Sequence, residues 1–167
     1  LWRLAHTIGL SQTTLDLGAL TSEQKNLRRK VHQTIAKVTD DYGRRQTFNT
    51  AVAAIMELCN ELGRHSNDSA QDQAIVSEGV HAVLKMLWPI TPHLCEHLWL
   101  HLSGDTFEEG AWPSVDESAL DRDELEIVIQ VNGKVRGKMS VPATAENTEI
   151  EARAREQENV QRFLIDK

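Results

Sequence analysis

One stretch of this sequence decides the fold: Arg44–Leu62, with the sequence RRQTFNTAVAAIMELCNEL. It is the longest unbroken helical pattern in the chain, because its apolar residues recur at three- and four-residue steps and form a wide stripe. We therefore predict a central helix of a bundle. Its first turn would contain Arg44 and Arg45, at the helix end where the dipole favours an anion. The predicted stripe consists of Phe48, Val52, Ile55, Met56, Cys59 and Leu62.

Two helical segments are predicted before this stretch. Residues 1–10 have the pattern of the end of a helix, which we expect Gly9 to terminate. Thr21 and Gln24 have the spacing of a capping box, in which two backbone donors are satisfied reciprocally. A second helix should therefore begin after Thr21 and keep an apolar face as far as Tyr42.

Two more helical segments follow the central stretch. Pro89 must end the fourth helix, because proline cannot continue a helical ladder. Thr91 and Pro92 suit the cap and first position of a fifth helix. Five helices with short connections predict an antiparallel bundle over residues 1–104. Its predicted core comprises Val31, Ile35, Val52, Ile55, Met56, Val80, Val83, Leu84, Leu87, Leu94 and Leu98.

The composition changes after residue 104. Nine acids and a single arginine lie between Asp105 and Glu126, so we interpret residues 105–124 as an acidic, solvated linker that packs on the bundle. From residue 125 apolar residues alternate with polar ones, and Asn132-Gly133 is the pair typical of a two-residue hairpin turn. Two short helices are predicted after it. The predicted fold is thus mainly α, an antiparallel bundle followed by a small α+β module over 125–167.

Composition excludes several classes of protein. A formal net charge of −7 argues against a protein that coats nucleic acid by overall charge, so such contacts must come from local patches. No apolar run approaches the length of a membrane span, and no signal peptide opens the chain. The two cysteines form no metal-type pair, which suits a reducing cytosol. Because the chain starts within an apolar pattern without Met, we expect a piece of a longer protein.

Two groups of residues could carry chemistry, but each has a more ordinary interpretation. His93, His97 and His101 share one helical face, yet they would form only an open, partial metal site. Cys59 and Cys95 lie within apolar stripes, where a packed, inert thiol is usual. No nucleophile, base and orienting acid come together. We therefore predict no catalytic residue, metal site or cofactor site in this chain.

Basic residues form two candidate phosphate-binding surfaces. Between Thr21 and His65, eight cations face five acids, a local charge of +3. In the hairpin, alternation would place three cations on one face, opposite Val135, Met139 and Val141. Both patterns also occur on ordinary solvated surfaces. The candidate binding residues are Arg28, Arg29, Arg44 and Arg45 in the bundle and Lys134, Arg136 and Lys138 in the hairpin.

Several short motifs occur in a distinctive order. They are Phe48-Asn49-Thr50-Ala51 with Ile55-Met56-Glu57, Pro89 with Thr91-Pro92-His93, Glu96-His97-Leu98-Trp99, and Ala111-Trp112-Pro113 with Asp116. Their order and spacing over residues 1–120 resemble the helical anticodon-binding domain of class I aminoacyl-tRNA synthetases. The segment from Gln130 to Lys138, running into Val141-Pro142, resembles the start of the C-terminal domain of the bacterial-type leucyl enzymes.

The resemblance implies a partner and a parent activity. It implies the tRNA-binding portion of a cytoplasmic, monomeric leucyl-tRNA synthetase, which joins leucine to its tRNA using ATP and Mg²⁺. The expected partners are leucine tRNA isoacceptors, and neither DNA nor a membrane. The adenylation and editing sites would lie elsewhere in the parent, so this portion would hold no ATP.

Two alternatives stay open. The chain could be the same region of a valyl, isoleucyl or methionyl enzyme, or a helical protein-interaction domain with an incidental basic hairpin. Exposure of Arg44, Arg45, Lys134 and Arg136 would favour RNA binding, whereas acids of residues 116–126 folded over them would disfavour it.

Overall fold

The computed structural model describes residues 1–7, 13–107, 112–121, 124–131, 133–142, 145–157 and 159–161. They divide into two compact units, Leu1–Leu120 and Asp121–Lys167. This division falls inside the predicted linker, so most of the linker belongs to the first unit and its last four residues belong to the second. Among the described helices, none is both long and apolar enough to cross a membrane.

The first unit is the predicted helix bundle. Its helices are α1 Trp2–Thr7, α2 Ser22–Asp40, α3 Phe48–Arg64, α4 Ala70–Leu87 and α5 Pro92–Ser103. Helix α3 packs against α2 and α4, α4 also packs against α2 and α5, and the short α1 contacts α3 and α5. A π-helical turn, Asp41–Arg45, extends the end of α2, and a short 3-10 turn, Glu117–Ala119, follows the bundle.

The core lies between α2, α3 and α4, as the periodicity predicts. Most predicted core residues are buried, and Leu58, which the prediction omitted, is completely buried. Met56 is an error in the prediction, because its side chain is exposed, and Val52 and Leu94 are only half-buried. The buried face of α3 is therefore narrower than the apolar stripe. Its fully buried side chains are Ile55, Leu58 and Leu62.

The predicted start of the central helix was wrong. Arg44 and Arg45 lie in the turn that ends α2, and α3 begins only at Phe48. Gln46 separates the two helices because its φ of 53° lies in the left-handed region, where an α-helix cannot continue. The two arginines are consequently at a helix C-terminus, where the dipole favours the cations themselves.

Two of the predicted local helix signals were confirmed, and the predicted cap of α5 was wrong. The Thr21–Gln24 capping box is present, with both reciprocal hydrogen bonds. Helix α5 begins at Pro92 as predicted, but the Thr91 hydroxyl does not cap it. That hydroxyl instead donates to the carbonyl oxygen of Leu87 at 3.5 Å, because Thr91 directly follows the turn that ends α4.

Residues 112–120 are attached to the bundle. The Trp112 indole N–H donates to Thr39 Oγ1 at 2.8 Å, and Asp116 pairs with Arg28 at 2.6 Å. Earlier in the same region, Phe107 is buried and stacks on Trp88 with ring centroids 4.1 Å apart. The description of a solvated linker therefore does not hold for these residues.

The second unit contains the predicted hairpin. Strand β1, Glu124–Val131, pairs antiparallel with β2, Lys134–Pro142, and Gly133 takes a φ of +75° in the turn. Asn132 lies outside the described residues. Helix α6, Asn147–Glu156, follows as predicted. Of the second predicted helix, only 159–161 are described, and they are helical.

A β-bulge changes the predicted faces of β2. Ile129 pairs with Gly137 and Gln130 with Val135, so Arg136 is an extra residue on β2. A bulge shifts the side-chain alternation by one residue. Val135 is accordingly 58% exposed and Arg136 half-buried, while Met139 is buried as predicted. The prediction that three cations share one face was wrong.

Candidate nucleic-acid interface

The corner between α2 and α3 is organised by a buried carboxylate. Asp41 accepts hydrogen bonds from Lys37 Nζ at 2.6 Å, Thr50 Oγ1 at 2.8 Å and Thr47 Oγ1 at 3.0 Å. The hydrogen bond from Lys37, followed by that from Thr50, lowers the pKa of Asp41 to about 2. Asp41 therefore stays ionised at neutral pH and ties the end of α2 to the first turn of α3.

Two arginines project from this corner. Arg44 forms a bidentate ion pair with Asp40, with N···O distances of 2.6 and 2.9 Å, and its side chain is 78% exposed. Arg45 lies 3.3 Å from Asp41 and is 51% exposed. The Arg44–Asp40 pair lies in solvent, where ion pairs contribute little to stability, so an incoming phosphate can compete with Asp40 for the Arg44 guanidinium.

Aromatic rings lie at the same corner. Tyr42 contacts Phe48 and Trp112 at centroid distances of 5.3 and 5.5 Å, and its hydroxyl donates to the Met86 carbonyl. Phe48 is 52% exposed and Trp112 is 37% exposed. Through Tyr42, two solvent-facing rings are thus held at the turn that contains the two exposed arginines. We call Arg44, Arg45, Phe48 and Trp112 the corner surface.

Phe48 and Trp112 were not among the predicted binding residues. Periodicity placed Phe48 in the apolar stripe, because an apolar residue at the start of a helix has the same pattern whether it is covered or exposed. Trp112 stood out in the sequence only as part of the Ala111-Trp112-Pro113 motif. A sequence signal existed nonetheless, since Phe48 follows the arginine pair by three residues.

Arg28, a predicted binding residue, is buried and fully engaged by carboxylates. Its guanidinium donates to Glu78 at 3.1 and 3.3 Å and to Asp116 at 2.6 Å. Burial by itself would lower the pKa of Arg28, but the hydrogen bonds to Asp116 and Glu78 outweigh it and raise that pKa. Arg28 thus joins α2, α4 and residues 112–120, and it does not face solvent as the prediction required.

The remaining predicted cations differ in exposure. Arg29 is half-buried and donates to Asn26 at 2.7 Å. Lys134 and Lys138 are exposed on the hairpin, whereas the bulge leaves Arg136 half-buried. Within the first unit, Asp116 pairs with Arg28, while Arg44 and Arg45 pair with acids of their own helix turn.

The histidines and cysteines occupy structural positions. His97 stacks on Trp2 at 5.3 Å, and His101 stacks on His6 at 4.3 Å. Burial raises the pKa of both thiols, Cys59 and Cys95. In the described part of the chain, no three His, Cys, Asp or Glu residues are grouped so that they could hold a metal ion.

Comparison with known proteins agrees with this architecture. A family model described as the anticodon-binding domain of tRNA ligase matches residues 24–152. The leucine–tRNA ligase of Halorhodospira halophila (strain DSM 244 / SL1) is 54% identical over 155 residues, 92% of this chain and 19% of that protein. The leucine–tRNA ligase of Yersinia pestis (strain Pestoides F) is 50% identical over 166 residues, 98% of this chain and 19% of that protein.

A solved structure shows the same fold. It is the ternary complex of Agrobacterium radiobacter K84 agnB2 LeuRS-tRNA-LeuAMS, with a TM-score of 0.76 and 25% identity over 98% of this chain and 20% of that chain. The chain thus spans about a fifth of the length of the proteins it matches. Because the family model covers most of the bundle and the hairpin, the chain belongs to the anticodon-binding domains of tRNA ligases.

Proposed function

We propose that this chain binds tRNA, specifically leucine isoacceptors, and that the corner surface is a principal contact. The observation that carries the proposal is the fixed arrangement of exposed Phe48 and Trp112 beside exposed Arg44 and Arg45. The family match supports the proposal, and so does the tRNA in the similar ternary complex.

The arginines suit the RNA backbone. Each guanidinium presents a planar set of donors that matches a phosphate bidentately. Arg44 pairs with Asp40 in solvent, so replacing Asp40 by a phosphate oxygen costs little. The negative charge of Asp41 is already balanced by Lys37 at 2.6 Å, which leaves Arg45 available to a ligand.

The rings suit unpaired bases. Stacking of a base on an aromatic side chain contributes about 1–3 kcal/mol and tolerates any base, because every base has a π-face. Trp112 is held by its hydrogen bond to Thr39, so little side-chain entropy is lost when a base stacks on it. A loop of tRNA, with unstacked bases and nearby phosphates, provides both groups that the corner surface can bind.

The hairpin offers a second, separate contact. Lys134 and Lys138 are exposed and positively charged, which suits phosphates without base specificity. Arg136 remains a candidate, but its half-buried position makes it the weakest of the three.

We further propose that the chain acts within a cytoplasmic, monomeric leucine–tRNA ligase. That enzyme would join leucine to tRNA with ATP and Mg²⁺, and this chain would position tRNA without contributing a catalytic residue. The identities of 50–54% to leucine–tRNA ligases support leucine over the valyl, isoleucyl and methionyl alternatives.

The charge contribution can be tested with a matched pair of variants. Arg44→Gln/Arg45→Gln removes two corner cations, and Arg153→Gln/Arg155→Gln removes two cations that form similar i,i+4 pairs on α6. Affinity for leucine tRNA transcript is measured against salt. The corner variant should flatten the log–log salt slope by about 1.4–1.8, which corresponds to two lost phosphate contacts, and the α6 variant should not. Equal salt slopes in both variants would contradict phosphate binding by the corner surface.

The stacking contribution has a different signature. Phe48→Ala should weaken tRNA binding at every salt concentration without changing the slope, since no charge is lost. The exposed Met56→Ala serves as control, because that residue lies on α3 away from the arginine turn in sequence. If both arginine and ring variants bind tRNA as the unchanged chain does, the protein-interaction alternative is favoured.

A further inference from the structure

A cavity of about 450 Å³ lies between α1 and the C-terminal half of α3. Its floor is apolar and includes Leu4, Leu62 and Val76, and the thiol-bearing Cys59 lies there as well. This volume is within the range of small-molecule pockets, about 300–1,000 Å³. The cavity involves none of the residues of the corner surface and lies wholly within the first unit.

The charge of the lining is unusual for so acidic a protein. Two arginines, Arg3 and Arg64, line the cavity, and among its described lining residues there is no Asp or Glu. Neither guanidinium has an ion-pair partner among the described residues. Elsewhere in the bundle, Arg28 of α2 and Arg44 of its terminal turn pair with acids. Two arginines without acids on one cavity thus leave a net positive site.

The polar groups at the rim favour an oxygen-rich anion. Asn60 and Asn67 add amide groups that can donate hydrogen bonds, and both are exposed. The last carbonyls of α3 are partially negative, and Arg64, in the last turn of that helix, offsets them. The lining histidine, His65, is already occupied by Asp72 at 3.0 Å. The two arginines therefore dominate the recognition of charge.

We propose that this cavity binds a nucleoside monophosphate. A phosphate monoester carries a charge of about −1.5 to −2 at neutral pH, which matches two guanidinium groups. The apolar floor suits the face of a base, and the amides suit sugar or base-edge groups. The ligand could be a free mononucleotide or one nucleotide of an RNA chain, and the phosphate chemistry is the same in both. The proposal is independent of tRNA binding at the corner surface.

The test is a titration of the isotope-labelled chain with 5′-AMP, followed by amide NMR. We expect saturable shifts of the Asn60, Gly63 and Asn67 amides, with at least tenfold weaker effects from adenosine, which lacks the phosphate. Loss of a charge-assisted hydrogen bond changes affinity by about ten- to a hundredfold, so Arg3→Gln and Arg64→Gln should each weaken binding by roughly tenfold or more. Arg44→Gln is the matched control and should leave AMP binding unchanged.

Cys59 supplies a second readout that also checks folding. AMP should slow alkylation of Cys59, which is on the cavity floor, whereas Cys95 is completely buried and lines no part of it. In Arg64→Gln the alkylation rate without ligand should match the unchanged chain, which shows that the fold is intact, and AMP should no longer protect. If Cys59 of Arg64→Gln is alkylated faster without ligand, that substitution has disturbed the cavity. The AMP affinity of Arg3→Gln is then the test of the proposal.

Transfer RNA distinguishes the two sources of the nucleotide. If tRNA protects Cys59 and Arg64→Gln abolishes that protection, the ligand is a nucleotide of RNA. If AMP protects and tRNA does not, it is a free nucleotide. The proposal is overturned if AMP shifts amides outside the cavity, if adenosine binds equally well, or if both arginine variants bind AMP normally. Loss of tRNA binding in Arg44→Gln/Arg45→Gln with normal AMP binding would separate the two sites.

Discussion

Gly79 lies where α4 packs against Leu62 of α3 and Val31 of α2, and alanine there should destabilise the bundle. A Cβ on Gly79 would lie 2.6 and 2.9 Å from the two methyl carbons of Leu62 and 3.2 Å from a methyl of Val31. Carbon atoms pack best at about 3.5–4.0 Å, so the helices or side chains must move by roughly 1 Å. Leu62 is almost completely buried, but one side of it faces the cavity next to α1, so part of the strain can relax there.

The magnitude follows from two opposing effects. Overpacking a dense core costs about 1–3 kcal/mol, while alanine gains about 1 kcal/mol over glycine in a helix interior. Gly79→Ala should therefore lower the free energy of unfolding by up to about 2 kcal/mol. The control is Gly43→Ala, because a Cβ on Gly43 meets nothing within 4 Å. It should instead stabilise the chain by about 0.4–1 kcal/mol.

Urea denaturation followed by tryptophan fluorescence measures both variants. All four tryptophans lie in the first 120 residues, so this signal reports on the bundle alone. In a Leu62→Ala background the clash is relieved, and Gly79→Ala should become neutral or stabilising. The reasoning is refuted if Gly79→Ala is more stable than the unchanged chain when Leu62 is present.

Three further predictions test the core, the ion-pair network and the bulge. Ile55→Ala should cost about 2–5 kcal/mol because it empties a completely buried site, whereas Met56→Ala, on the exposed side of α3, should stay within about 0.5 kcal/mol in the same urea assay. The hydrogen bond from the Arg28 guanidinium lowers the pKa of Asp116 to about 2 in the folded chain. The ionised Asp116 therefore stabilises the fold above its unfolded pKa of about 4, and this stabilisation is lost as the pH falls towards 2. The melting temperature of Asp116→Asn should accordingly fall less between about pH 4 and pH 2 than that of the unchanged chain. If the two melting temperatures fell in parallel with pH, the Arg28–Asp116 pair would be contradicted. Val135→Lys should leave hairpin amide exchange unchanged while Met139→Lys accelerates it; acceleration by both variants would mean that the bulge is absent, because a regular strand places both residues on one face.

The sequence determined the features whose physical causes are local. The capping box of Thr21 and Gln24 forms because both partners lie within one turn of the same helix. Helix α4 ends before Pro89 because a proline cannot donate a backbone hydrogen bond. Gly133 takes a positive φ in the two-residue turn because glycine has no Cβ to clash there. Each of these features needs only residues close together in the chain.

Only the tertiary structure decided which side chains reach solvent. In the sequence Arg28 is one cation among several, and its burial depends on Asp116, which is 88 residues away. Phe48 and Met56 lie in an apolar stripe whose edges no neighbouring described helix covers, and the bulge at Arg136 reverses the expected faces within β2. A hydrophobic pattern specifies which residues can be buried, but the partner helices and strands determine which residues are buried. The corner surface could therefore be recognised only in the tertiary structure, because its aromatic residues are apolar side chains that the fold leaves uncovered.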